Sequence, residues 1–178
     1  MKRWTVWAMS MGLLLAAVLA VPAPARAWQA FAKITTASGT VIDGDSTVKG
    51  FEKQIVVLGL GNQMARTITL DSGGGLAVGK LTLGTLQVVK AFDIASPRLV
   101  TAIANAQPLS KVEITLFKTT ATGTSVPGFR ITLTNALVSN VETTYDPGAT
   151  PSALEKLEFF YQKLQWTDLT TGAIGSTP

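Results

Sequence analysis

The sequence predicts a mainly β fold: a two-sheet antiparallel β-barrel or sandwich with one short α-helix. Three observations lead there. Apolar residues recur at every second position in separate short runs, as in Val112, Ile114 and Leu116 and again in Phe129, Ile131 and Leu133, which is the period of a strand with one buried face. Clusters of Gly, Pro, Asp and Ser separate those runs, and such residues end strands and make turns. One stretch, residues 90–107, shifts to the helical period. Many antiparallel strands with a single helix bury their apolar faces as a sandwich or barrel.

A leader precedes this domain. Lys2 and Arg3 give a positive start, residues 8–21 are apolar apart from Ser10 and Gly12, and Pro22 and Pro24 end the run. Ala25-Arg26-Ala27 then places small residues where a signal peptidase accepts them, so cleavage is expected between Ala27 and Trp28. The run is shorter than the roughly 20 residues a bilayer core requires, which argues against a stable membrane anchor. The reading is therefore a signal peptide over 1–27, one domain over 28–178, and export to the periplasm or beyond.

The first strand opens at Phe31-Ala32-Lys33-Ile34, and turns follow at Ser38-Gly39 and at Asp43-Gly44-Asp45. An EF-hand beginning at Asp43 requires a glutamate at its twelfth position, where this chain has Gln54; the two aspartates read as solvated turn residues. Residues 51–60 are rich in β-branched side chains and read as a strand, as does the short alternating run 66–70. Between them and the next strand lies Asp71-Ser72-Gly73-Gly74-Gly75-Leu76, continuing to Gly79-Lys80. That spacing matches most of a phosphate-binding loop. The match fails on context, because Leu81 stands where Ser or Thr holds magnesium and strand-like sequence follows in place of a helix. A flexible glycine-rich surface loop over 71–79 is the expectation.

The helix is expected to start at Ser96 as N-cap with Pro97 in its first turn, to bury a stripe of Leu99, Val100, Ile103 and Ala106, and to stop before Pro108. About ten helical residues are marginal alone, so packing must hold them. Beyond it, residues 112–116 and 129–133 alternate, with a hairpin loop between them. The second of these strands continues past Leu137 and Val141 to a loop at 146–151. In the last strand Leu157, Phe159 and Tyr161 share one parity and Leu164 and Trp166 the other, which places a bulge near Gln162-Lys163.

Composition narrows the chemistry. The chain has 15 Lys and Arg against 11 Asp and Glu, but three of the basic residues, Lys2, Arg3 and Arg26, belong to the leader. Twelve against eleven remain, which removes the main warrant for nucleic-acid binding. There is no histidine and no cysteine, so the usual base near neutral pH, thiol nucleophiles and the common zinc sets are all missing. The acids read as scattered over turns and wet strand faces, leaving a carboxylate hydrolase as a remote option. No catalytic, cofactor or metal residue is assigned.

Several segments in order resemble the haemolysin-coregulated proteins, Hcp, the tube subunits of type VI secretion systems. Phe31-Ala32-Lys33-Ile34 resembles the family's F-x-K-I opening, and residues 71–83 resemble its glycine-rich loop with G-K and a strand. Lys90-Ala91-Phe92-Asp93, then Ser96-Pro97 and Leu99, are similar to K-x-x-D-x-x-S-P-x-L-x-x-A. Residues 112–118 fit the strand that follows. Residues 134–139 resemble L-x-x-V-L-V-S-S, and residues 155–166 resemble E-x-V-x-L-x-F-x-K-I-x-W. The resemblance implies a β-barrel that closes into six-membered rings stacking as a tube. It also implies a contractile sheath, a VgrG-type spike and small effectors in the lumen as partners. Asp71, Ser72, Gly73, Gly74, Gly75 and Leu76 form the candidate inter-subunit loop. Two features depart from the family: the leader, and Asn105-Ala106-Gln107 where the family has Gly and His after the helix. An Hcp-fold binding module that stays monomeric is the alternative reading.

Overall fold

Strand-period patterning becomes nine strands around a single short helix in the computed structural model, which describes residues 29–178. In chain order they are β1 (Ala30–Thr36), β2 (Val41–Ile42), β3 (Ile55–Val57), β4 (Gly59–Leu70), β5 (Leu76–Ala91), α1 (Ser96–Ala104), β6 (Leu109–Thr119), β7 (Ser125–Tyr145), β8 (Ala153–Asp168) and β9 (Ile174–Ser176). The expected signal peptide and the expected cleavage between Ala27 and Trp28 fall outside the described residues.

The strands form one antiparallel sheet, where two were expected. Its order is β2-β1-β6-β7-β8-β5-β4, with β3 added to β1 and β9 to β8. The sheet is not closed. The strand expected over 51–60 is split, and the split explains the opening. Phe51 accepts the amide of Gln54 in a turn, Lys53 has a positive φ, and pairing to β1 lasts only from Ile55 to Val57. At Leu58 the chain leaves β1 and gives one amide to Val89 O at 2.7 Å, after which β4 pairs with β5.

Side chains from most of these strands meet in one apolar core, among them Ile34, Ile55, Leu86, Ile114, Ile131, Leu133, Leu157 and Phe159. A smaller aromatic group sits on the other face of β1, where Phe31 and Phe51 stack at 5.2 Å and both meet the edge of Phe117. The bulge expected near Gln162-Lys163 is not there: the β7–β8 register runs through that level and shifts only between Val138 and Asn140, and the parity change in β8 is an inversion that β7 shares at the same level. Ile131 and Leu133 are buried before Asn135, Ala136 and Val138 after it. Asn135 has φ +51, a conformation asparagine tolerates better than most residues, and its Nδ2 donates to Gln162 Oε1 at 2.9 Å. Because both strands slip together, Thr134↔Lys163 and Ala136↔Tyr161 keep one register.

The helix is shifted from its expected face. Leu99 and Ala102 are buried and Ile103 packs against the core, whereas Val100 is 51% exposed and Ala106 lies beyond the helix in the solvent. The true stripe is i, i+3, i+4 from Leu99. Ser96 is not the N-cap; Ala95 is, and no side chain caps this end. The C-terminus closes before Pro108 is reached. Gln107 N donates to Ala102 O at 2.8 Å and Ala106 N to Ile103 O at 3.1 Å, the paired bonds of a Schellman motif, with Ala106 at φ +46 where glycine is usual.

Leu99→Ala should therefore cost about 2–5 kcal/mol of stability through lost transfer energy and the cavity left behind, while Val100→Ala should cost about 0.5 kcal/mol or less. Urea melts of the two variants check this; equal losses would mean the helix face is misassigned.

Candidate functional site

Two features stand out from the fold, a projecting hairpin and a buried ionic cluster. The hairpin is built by β4 and β5. Only Leu86 to Ala91 of β5 pair with β8, so residues 76–85 and the facing part of β4 extend as a two-stranded arm. The expected long loop over 71–79 is a tight turn at its tip, since Leu76 to Gly79 already belong to β5. Nor is the turn shapeless. Asp71 Oδ1 accepts the amides of Gly73 at 2.9 Å and Gly75 at 2.7 Å, Asp71 N donates to Gly75 O, and Gly74 supplies the left-handed residue at φ +80. The two remaining glycines of the arm have a different task. Each lies where β5 carries an extra residue, Gly79 against Thr67 and Gly84 against Gln63, and a Cβ on Gly84 would sit 2.9 Å from the Gln63 carbonyl oxygen.

The arm has one apolar and one polar side. Pairs Met64↔Leu83, Ile68↔Val78 and Leu70↔Leu76 share the face that continues outward from the core, interrupted by Arg66 opposite Leu81. Leu83 is partly buried against the core, but Leu70 is 76% exposed and Leu76 69%. The other face carries Ala65 and Thr82, Thr69 and Ala77. All six residues of the candidate inter-subunit loop, Asp71, Ser72, Gly73, Gly74, Gly75 and Leu76, are exposed at the outermost end of this arm.

The ionic cluster was not visible in sequence. Lys90 and Glu155 are cross-strand partners in β5 and β8, and both are buried. Lys90 Nζ lies 2.6 Å from Glu155 Oε2, 2.8 Å from Asp93 Oδ1 and 2.9 Å from Ser96 Oγ. Ser96 donates to Glu155 Oε2 at 2.6 Å and accepts the Asp93 amide. This occupation is why Ser96 does not cap the helix, and it corrects the reading of the acids as uniformly solvated. Every polar side-chain atom buried among the described residues has a partner. The cluster's chemistry is that of a clasp: it fixes the first turn of α1 against two strands.

Among the described residues no three acids, histidines or cysteines come together to hold a metal. A surface hollow of about 680 Å³ among the described residues is lined by groups such as Val48, Val56, Leu58, Pro151 and Leu154 and presents no titratable side chain. An open antiparallel β-sheet with one clasped helix and a projecting arm that is apolar on one side defines the class of fold. Comparison with known proteins gives the family. The family model described as type VI secretion system effector, Hcp, matches residues 31–167. The major exported protein of Pseudomonas aeruginosa is 31% identical over 138 residues, covering 75% of this chain and 79% of that protein. Among solved structures, an Hcp protein of E. coli EAEC 042 superposes with a TM-score of 0.73 at 25% identity, covering 84% of this chain and 97% of that one. A secreted Hcp protein of Pseudomonas aeruginosa gives 0.68 at 25% identity, covering 85% and 97%. The chain belongs to the Hcp family of type VI secretion proteins.

Removing one member of the clasp should be costly, because the others stay buried without their counter-charge. Lys90→Met is expected to lose about 3–5 kcal/mol, whereas Lys90→Met combined with Asp93→Asn and Glu155→Leu should recover much of that loss. Chemical denaturation of the single and triple variants measures the difference.

Proposed function

We propose that this chain is an exported tube subunit in which six copies close a ring, rings stack, and the β4–β5 arm makes the contact between subunits. The observation that carries the reading is the arm itself. It has free backbone edges on both sides, with Arg66 and Lys80 as the charges to blunt them, and exposed edges of this length favour pairing with another chain. Its apolar face has nothing of its own subunit to lie on past Leu83, and a head-to-tail contact that closes by rotation covers such a surface around the whole circle.

The structured tip sharpens this reading. An arm held by Asp71 and by strand pairing is already ordered before it meets a partner, so less conformational entropy is lost on docking than a free loop would lose. Membership of the Hcp family supports the ring and adds its partners: a sheath, a VgrG-type spike and small effectors. Export is supported by the description of the Pseudomonas relative as a major exported protein. The route proposed for this chain is its own leader, with removal of residues 1–27.

Two measurements test the proposal. The exported protein should begin at Trp28 by N-terminal sequencing; a start at Met1 overturns the route. It should run as a hexamer by native mass, and Leu70→Ser with Leu76→Ser should dissociate the hexamer while leaving the subunit melt within about 0.5 kcal/mol, as expected of exposed positions. A chain that stays monomeric from micromolar to millimolar concentration overturns the ring and leaves a monomeric binding module in its place.

A further inference from the structure

Lys33, Lys111, Arg130 and Lys163 are scattered through the sequence, yet strand pairing sets them side by side. One row across β1, β6, β7 and β8 holds Thr35, Lys111, Thr134 and Lys163; the next holds Lys33, Glu113, Thr132 and Gln165; the third holds Phe31, Thr115, Arg130 and Thr167. This is the side turned from the core, since the intervening Ile34, Val112, Ile131, Leu133 and Leu164 are buried. Neighbouring strands lie about 4.8 Å apart and two residues rise about 6.7 Å, so the four cations occupy roughly 15 by 13 Å.

One carboxylate, Glu113, shares the face, and Lys111 takes it at 3.2 Å. Lys33, Arg130 and Lys163 are exposed, and none of the ion pairs among the described residues includes them. From residue 28 onward the chain has twelve basic and eleven acidic residues; without this face, eight basic against ten acidic remain. The positive potential is thus local, and like charges held together repel one another with no return inside the subunit.

We propose that this face docks an acidic polypeptide segment, a passenger of the assembly; the passenger role rests on the tube reading above, the docking does not. Carboxylates suit it because Lys and Arg form strong charge-assisted hydrogen bonds with them, and Thr35, Thr132, Thr134 and Thr167 add hydroxyls between the cations. Nucleic acid fits less well. Phe31, the one aromatic residue in these rows, is 2% exposed beneath Phe51 and Phe117, so no stacking platform for bases is offered.

The test titrates a fluorescein-labelled decaglutamate peptide into the exported chain and follows anisotropy, with light scattering on the same samples. Binding is expected at about 20 mM salt and should vanish near 500 mM. Lys33→Gln/Arg130→Gln/Lys163→Gln should weaken it at least about tenfold, whereas Lys49→Gln/Lys53→Gln/Arg98→Gln, which removes equal charge elsewhere, should leave it within about twofold. No binding, equal loss in both triple variants, or tighter binding of single-stranded oligothymidylate overturns the proposal. A changed oligomeric state in the first variant also overturns it, by making the face a subunit contact, and leaves the ring intact. If the wild-type chain is monomeric but binds the peptide as described, the ring falls and the docking face stands.

Discussion

The ammonium group of Lys90 is fully buried, and that constraint reaches four segments of the chain. An ion of this kind is tolerated in an interior only when opposite charge and hydrogen-bond acceptors surround it. Glu155 supplies the first from the facing strand, Asp93 the second from the connection, and Ser96 an acceptor from the helix. The pairing of β5 with β8 is thereby specified at one rung. A shift by one residue would set Lys90 against Leu154 or Lys156 and turn every apolar side chain of β8 to the wrong face. The same contacts place the N-terminal turn of α1, after which Leu99 and Ala102 have one way to enter the core. The two carboxylates also stand near the positive end of the helix dipole, where negative charge is favoured.

With that rung in place, the two sides of the sheet divide the work. The inward side is apolar and does not stop at the body of the subunit, because β4 and β5 carry it outward through Leu83, Ile68 and Leu70 along the arm. Beyond the aromatic group at Phe31 the outward side is hydroxylic and charged, with its cations gathered on β1, β6, β7 and β8. One alternating pattern serves folding at the base of the arm and, in the proposed ring, association at its tip. The polar side is free for a different use.

Much of this was legible in the sequence because it depends on neighbours along the chain. Period-2 alternation located β1, β6, β7 and β8, and Pro97 located the helix. The parity change between Tyr161 and Leu164 located the inversion in β8, and the ordered motifs from Phe31 to Trp166 pointed to the family. What escaped depends on partners far away. Lys90 opens the stretch read as helical, and its burial is seen only when Glu155, 65 positions on, stands opposite it. Ser96 has the right identity and place for a cap, but a stronger partner competes for its hydroxyl. The glycine run reads as slack because glycine has no preferred shape, whereas the Asp71 carboxylate gives it one. The short strands β2 and β9 carry too few residues for any period to show. The basic face is spread over four strands, so no window of sequence contains it.

The paired inversion at Asn135 and Gln162 makes β7 and β8 a single unit for insertion and deletion. A residue removed from one strand alone would swing everything beyond it from core to solvent and break the ladder with its neighbour. Loss of Asn135 together with Gln162 would leave both parities continuous and the register intact. The two positions are thus one structural character held by two sites 27 residues apart, in contrast to Ser139, which β7 carries as an extra residue without a counterpart in β8.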